Sequence, residues 1–236
     1  MANNINFAST SDVKLRERSM IKNVYTWMSA GLGLTALTAY GVASNQNIMS
    51  ALLSSNVSFI MLFVVQIGLV MYLSSKIQDL SRNASTIAFL AYAFVTGITF
   101  STIFYAFRIQ SIFLAFLTAA LMFVGMAAYA QFTKKDLSGV GYYSRMALWG
   151  LVVTMLLNFF FKSSALDYFI SLIGVAVFLG LTAWDVQKIK RTNDQYLSSM
   201  SELDYHRASI YGALTLYLDF INLFLFLLRI FGGRDS

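Results

Sequence analysis

Cysteine and proline are both absent from this chain of 236 residues, and histidine occurs once, as His206. Without cysteine there can be no disulfide, thiolate metal site or cysteine nucleophile, and one histidine leaves little for zinc. We therefore expect no metal-dependent catalysis and no resident cofactor. Without proline, a break inside a helix must come from glycine or from Ser and Thr side chains that bond the backbone.

Charge is scarce as well. Charged residues make up 12% of the chain and hydrophobic residues 58%, whereas about a quarter of a typical globular domain is charged. The 17 basic and 11 acidic residues are too few to cover a water-facing surface, so much of the apolar surface must face lipid. The net charge of +6 does not indicate nucleic-acid binding, because the basic residues lie between apolar runs and not on one face of a soluble module.

Seven apolar runs are long enough to cross a bilayer, which takes about 20 residues each. They cover residues 23–43, 57–75, 86–107, 111–132, 145–161, 168–189 and 210–231. The sequence thus predicts an all-α, multi-pass membrane protein with a short segment at 1–22, a transmembrane domain at 23–231 and a tail at 232–236. The first run is too long for a signal-peptide core, so we expect it to be retained.

The basic residues also predict the orientation, because cytoplasmic connections carry the excess of Lys and Arg. Alternate connections hold 13 on one side and 4 on the other. This places the N-terminus in the cytoplasm and the C-terminus outside, which fits an odd number of spans. The longest polar stretch, 190–209, is expected to be a cytoplasmic loop with room for a short interfacial helix near 200–208.

Two acidic residues fall inside predicted spans, where a carboxylate costs about 2.5 to 3.5 kcal/mol near the helix centre on insertion scales. Asp185 lies near the inner end of the sixth span and Asp219 in the middle of the seventh. An interfacial residue that reaches headgroups is the alternative for Asp185, and a hydrogen bond that fixes helix packing is the alternative for Asp219. An ion or proton pathway is the functional interpretation of both.

A polar stripe surrounds Asp219, because helical spacing puts several small or polar residues on its face. Its members on the seventh span are Gly212, Thr215 and Asn222. Gln66 in the second span and Asn158 in the fifth are expected partners for this face. If Asp185 and Asp219 meet, like charges in a poorly solvated site favour one shared proton, while the doubly ionised pair could bind a divalent cation.

Four segments resemble the Bax-inhibitor (transmembrane Bax-inhibitor-motif) family in its bacterial form. They are 18–43, with AGLGLTAL at its centre, 132–138 (FTKKDLS), 185–189 (DVQKI) and 216–224 (LYLDFINLF). The resemblance implies seven helices with the C-terminal one central, and a Ca²⁺ leak whose opening depends on pH through Asp185 and Asp219. Trp184 departs from the tyrosine that many relatives carry there, and the second span has no Lys or Arg to act as a counter-ion.

Other functions remain open. An intramembrane aspartyl protease also has aspartates on its sixth and seventh spans, but Asp219 lacks the Gly-x-Gly-Asp context and the chain lacks the proline of the Pro-Ala-Leu segment. A retinal receptor needs a lysine in its last helix, and 210–231 has none. A rhomboid-type serine protease needs an intramembrane histidine, whereas His206 precedes the seventh span.

The resemblance also allows a regulator that does not transport ions but binds membrane proteins, as an inhibitor of cell death or of a membrane protease. We expect a non-enzymatic protein of the bacterial inner membrane whose partners are lipid, Ca²⁺, protons and other membrane proteins.

Overall fold

The computed structural model describes residues 10–54, 56–196 and 200–232, and these residues form nine helices with no strand among them. The helices are α1 (Thr10–Ala43), α2 (Gln46–Leu53), α3 (Asn56–Lys76), α4 (Arg82–Phe100), α5 (Ile103–Ala106), α6 (Ile109–Phe132), α7 (Ser138–Phe161), α8 (Ser164–Tyr196) and α9 (Glu202–Phe231). The predicted all-α class is confirmed for the described part of the chain.

Five segments are long and apolar enough to span a membrane, namely Arg82–Ala106, Ile109–Phe132, Ser138–Phe161, Ser164–Thr192 and Glu202–Phe231. They coincide with the third to seventh predicted spans. The first two predicted spans lie on α1 and α3, which are outside this group; the apolar part of α3, Ile60–Lys76, is shorter. The protein is therefore multi-pass, while the count of seven stays a prediction.

The C-terminal helix α9 packs against α8, α6, α1 and α4. In its most apolar window 61% of the residues are buried inside the protein, compared with 6% for α7. Aromatic side chains of α7 such as Trp149 and Phe159 are 74% exposed, which is the pattern of a lipid-facing helix. Because lipid tails are as apolar as the core, burial against other helices is what distinguishes α9.

One helix break follows the rule expected for a proline-free chain. α4 and α5 are separated at Ser101 and Thr102. The Ser101 hydroxyl donates to the Ile98 carbonyl at 2.7 Å, and the Thr102 hydroxyl donates to the Thr99 carbonyl at 2.8 Å. Such side-chain bonds compete with the helical ladder and bend or end it.

The expected loop at 190–209 is largely helical where the structure describes it. α8 continues to Tyr196, and α9 begins at Glu202, about two turns before the predicted span. Ser201 caps α9 by accepting the Asp204 amide at 3.2 Å, and acidic residues in the first turn favour the positive end of the helix dipole.

Contacts to other elements hold this extension of α9. Arg207 donates to the Leu80 carbonyl at 2.6 Å, and His206 Nε2 lies 2.9 Å from the Thr86 hydroxyl. His206 thus packs at the end of α4, away from the aspartates.

Candidate functional site

The antiparallel register of α8 and α9 places the two intramembrane aspartates opposite each other. The Phe226 ring lies on Gly174, where an added Cβ would come 2.6 Å from the ring, and it contacts Phe178 at 5.8 Å between centroids. Nearer the other end, a Cβ on Gly212 would lie 3.2 Å from Ile189. Between these contacts Asp185 faces Asp219.

Asp185 and Asp219 are 7% and 5% exposed, and their carboxyl groups are close enough for a side-chain hydrogen bond to join them. A hydrogen bond between two carboxyl groups requires a proton on one of them. With both groups ionised, the buried Oδ2 of Asp219 has no donor in the described part of the chain. One proton on the pair removes the repulsion and lets one carboxyl group donate to the other.

Two cations act on the Asp185 side of the pair, namely Arg145 of α7 and Lys188 of α8. Both also lie over the indole of Trp184, the Arg145 guanidinium 4.4 Å and the Lys188 ammonium 5.0 Å from the ring centroid. The indole packs on Gly141, so the cluster links α7 to α8. Arg145 of α7 and Lys188 of α8 therefore supply the positive charge that the second span lacks.

The other polar residues of the expected site bond elsewhere. Thr215 and Asn222 donate to carbonyls of their own helix, Thr215 to Tyr211 at 3.0 Å and Asn222 to Leu218 at 2.8 Å. They share a face with Asp219, as expected from their spacing, but these bonds use the Thr215 hydroxyl proton and one of the two N–H groups of Asn222.

Gln66 and Asn158 also differ from their expected pairing with the polar face of α9. Gln66 donates to Thr96 at 2.8 Å and accepts from Thr99 at 3.3 Å, both on α4. Asn158 accepts the Ser163 amide at 3.0 Å, where α7 ends at a left-handed Lys162. Gln66 therefore joins α3 to α4, and Asn158 closes the end of α7.

A second polar contact on α9 involves Tyr217, which is fully buried on the face opposite Asp219. Its hydroxyl lies 2.7 Å from the hydroxyl of Thr35, which in turn lies 2.9 Å from the Ala93 carbonyl. Phe89 and Tyr92 meet the ring edge-on, each with 5.9 Å between centroids. Tyr217 lies inside the 216–224 motif, but its partners on α1 and α4 are distant in sequence.

The inner end of α8 binds the connection between α6 and α7. Gln187 accepts the Leu137 amide and donates to the Lys135 carbonyl, both at 2.8 Å. Arg191 pairs with Asp136 at 2.6 Å. The 132–138 and 185–189 motifs are therefore in contact with each other.

Metal-binding potential at the aspartate pair is limited to two carboxylates. Among the described residues no group of three or more His, Cys, Asp or Glu side chains could hold a metal ion. A Ca²⁺ ion takes six to eight oxygen ligands, so a cation at the pair would keep water or take backbone carbonyls.

The profile of a family described as "Inhibitor of apoptosis-promoting Bax1" matches residues 17–236. The chain belongs to this Bax-inhibitor family. It is 45% identical over 217 residues to the inner membrane protein YbhL of Escherichia coli K12, covering 92% of each chain.

Other relatives are bacterial as well. The chain is 41% identical to an uncharacterized protein of Borreliella burgdorferi, covering 94% of this chain and 97% of that protein. It is 43% identical to an uncharacterized protein of Deinococcus radiodurans, covering 92% of each. The predicted membership of the family is confirmed over nearly the whole chain.

Proposed function

We propose that this protein is a pH-sensitive Ca²⁺ leak in which Asp185 and Asp219 form a proton sensor and gate. The observation that carries the proposal is the contact between two buried carboxyl groups on neighbouring antiparallel helices. Intramembrane carboxylates are expensive to bury and are characteristic of ion or proton pathways.

The chemistry of the pair provides two states. With one proton bound, the carboxyl groups hold α8 and α9 together through a hydrogen bond. With no proton bound, they repel each other and offer oxygen ligands to a divalent cation. A Ca²⁺ ion bound by two carboxylates and water is held weakly enough to pass on, which conduction requires. No catalytic step is part of this proposal.

The proposed setting is a seven-helix bundle around α9 in a bacterial inner membrane, with the N-terminus in the cytoplasm. The packing of α9 against four other helices, the 13 to 4 distribution of basic residues and the similarity to an inner membrane protein of Escherichia coli support it. In this setting Arg145 and Lys188 lie on the cytoplasmic side of the pair.

Ca²⁺ entry into liposomes that contain only this protein and an internal indicator dye tests the proposal. We expect flux above protein-free liposomes and a dependence on pH between 6 and 8, because the charge of the pair changes when its shared proton is lost. Asp219→Asn should make the flux nearly independent of pH, since the deeper group loses its titration. Asp185→Asn should shift the midpoint and leave a residual response.

Asp167→Asn is the matched control, because Asp167 is on α8 as well but is 49% exposed near Arg229. It should behave like the wild type. The proposal is wrong if wild-type liposomes show no excess flux, or if the double Asp185→Asn, Asp219→Asn variant keeps the full pH response.

The second candidate is a regulator that acts by binding a membrane protein, and the description of the family as an inhibitor of Bax1 favours it. The same liposomes separate the two functions. If the protein is a regulator that does not transport ions, no Ca²⁺ should enter liposomes that lack its partner, at any pH tested.

A further inference from the structure

An open groove runs along the outside of the bundle between α1 and α6. Residues 25–32 of α1 and 116–131 of α6 form its walls, and Phe220 of α9 forms its floor. Phe116 and Phe123 meet the Phe220 ring at 5.5 and 5.7 Å between centroids. We call this feature the α1–α6 groove. It exists because α1 and α6 both pack on α9, while the α6 side of the gap carries small side chains such as Ala120 and Ala128.

The dimensions of the α1–α6 groove indicate which kind of ligand fits it. The groove encloses about 430 Å³. Its α6 wall extends over 16 residues, or about 22 Å at the helical rise, and its α1 wall extends over 8 residues, or about 10 Å. One extended acyl chain fits along the α6 wall, since this wall is longer than a single leaflet of about 15 Å.

Three lysines are next to lining residues at one end of the groove, two of them along the chain and one through a hydrogen bond. Lys22 lies one turn before Tyr25 on the same face of α1, and Lys134 follows the end of α6. Lys190 of α8 donates to the carbonyl of Gln131, a lining residue, at 2.9 Å. Asp136, the acidic residue close to Lys134 in sequence, is engaged by Arg191. An apolar groove with lysines next to the lining residues at one end complements a lipid with an anionic headgroup.

We propose that the α1–α6 groove binds one anionic phospholipid, with an acyl chain along Phe220 and the phosphate at Lys22, Lys134 and Lys190. The lysines are in connections with the basic excess, so the lipid comes from the cytoplasmic leaflet. This site is separate from the aspartate pair and does not depend on the proposed leak.

Native mass spectrometry of the purified full chain, with phosphatidylglycerol or phosphatidylcholine of identical acyl chains added, tests the proposal. We expect one retained phosphatidylglycerol with clear preference over phosphatidylcholine. Lys22→Gln with Lys134→Gln should weaken phosphatidylglycerol binding about 25-fold, about fivefold for each lysine near an anionic headgroup. Lys76→Gln with Lys162→Gln removes the same charge away from the groove and should leave binding unchanged.

Two tryptophan variants of α1 test whether the lipid binds in the groove itself. Ser29→Trp fills it from α1 and should abolish retention of the lipid. Ala36→Trp is the matched control, because Ala36 lies two turns further along the same face of α1 and is not a lining residue of the groove. This variant should bind the lipid like the wild type. Melting curves in detergent show whether each variant is folded, so loss of lipid is separable from loss of structure.

Four results would overturn the proposal. The first is equal retention of the two lipids, and the second is unchanged binding in Ser29→Trp. The third is a dimer that Ser29→Trp dissociates, which would assign the groove to a second copy. Stabilisation by inorganic phosphate alone would likewise assign the lysines to a free anion.

Discussion

Trp184 stands directly before the first aspartate of the pair, and the packing of its indole explains how so large a ring fits there. The ring occupies the space over Gly141 of α7, so the absence of a Cβ there makes room for it. Arg145 and Lys188 cover the ring. The indole thereby positions two cations beside Asp185 without offering a hydroxyl to the carboxylate.

Replacing Gly141 with alanine should therefore destabilise the protein by about 1 to 3 kcal/mol, because an added Cβ would collide with the base of the indole. Gly150→Ala is the control on the same helix, since a Cβ there meets nothing within 4 Å. It should be neutral or stabilising by up to about 1 kcal/mol from helix propensity. Melting temperatures in detergent measure both. Equal melting temperatures for the two variants would contradict the packing described here.

Tyr217→Phe removes a buried hydroxyl that lies 2.7 Å from Thr35. We expect a loss of about 1 kcal/mol, a typical net value for a hydrogen bond. Tyr40→Phe, at a ring 66% exposed on α1, should change stability by less than half as much. A double-mutant cycle with Thr35→Val measures the coupling, and additive effects would show that the two hydroxyl groups do not interact.

At the scale of elements, side chains at the inner end of α8 hold the α6–α7 connection in place. Gln187 satisfies a backbone amide and a carbonyl of this connection, and Arg191 binds both Ser138 and Asp136. The Ser138 amide and hydroxyl, followed by Arg191, lower the pKa of Asp136 from 3.8 to about 2. The ionised form of Asp136 is therefore the one that supports the docked connection.

Docking of this connection should be constant from pH 8 to pH 5 and weaken only as the pH falls below about 4 toward 2. The sign follows from linkage: a carboxyl group whose pKa is lowered in the folded state favours that state above its unfolded pKa and loses the effect as it is protonated. Amide hydrogen exchange at residues 133–138, corrected for the intrinsic rate, measures it.

In the Asp136→Asn variant, the amide hydrogens of residues 133–138 should exchange faster at neutral pH than in the wild type. Asp79→Asn, in the connection before α4, removes an exposed carboxylate that pairs with Lys76 at 3.6 Å, and it should leave residues 133–138 unchanged. Protection of this segment that falls steadily between pH 8 and pH 5 would point to a different group.

At the scale of the whole molecule, the orientation in the membrane rests on the distribution of basic residues. Lys134 lies in a connection assigned to the cytoplasm and Lys162 in one assigned to the outside. The chain has no cysteine, so a single introduced cysteine reports only its own position.

We expect Lys162→Cys to react with an impermeant maleimide in intact cells and Lys134→Cys to react only after permeabilisation. Ser236→Cys should behave like Lys162→Cys, because the sixth and seventh predicted spans both lie between these two positions. Labelling of Lys134→Cys in intact cells would show that the orientation is the reverse of the predicted one. If only one of Ser236→Cys and Lys162→Cys were labelled in intact cells, seven spans would be excluded.

Hydropathy and charge are local properties of a sequence, so the sequence alone determined the membrane class, the all-α fold and the positions of five long apolar helices. It also singled out Asp185 and Asp219, because a carboxylate inside an apolar run stands out without any knowledge of its neighbours. The family membership followed from motifs that are equally local.

Tertiary structure decided which side chains meet. The facing of Asp185 and Asp219 depends on the axial offset of α8 and α9, which packing such as Phe226 on Gly174 sets. The predicted seventh span begins about two turns after the first residue of α9. The first turns of α9 are polar, so hydropathy does not reveal them, and contacts to α1 and α4 hold them in place. Arg145 reaches Trp184, and Gln66 pairs with α4 and not α9, because the rotation of each helix about its axis is set by neighbours distant in sequence.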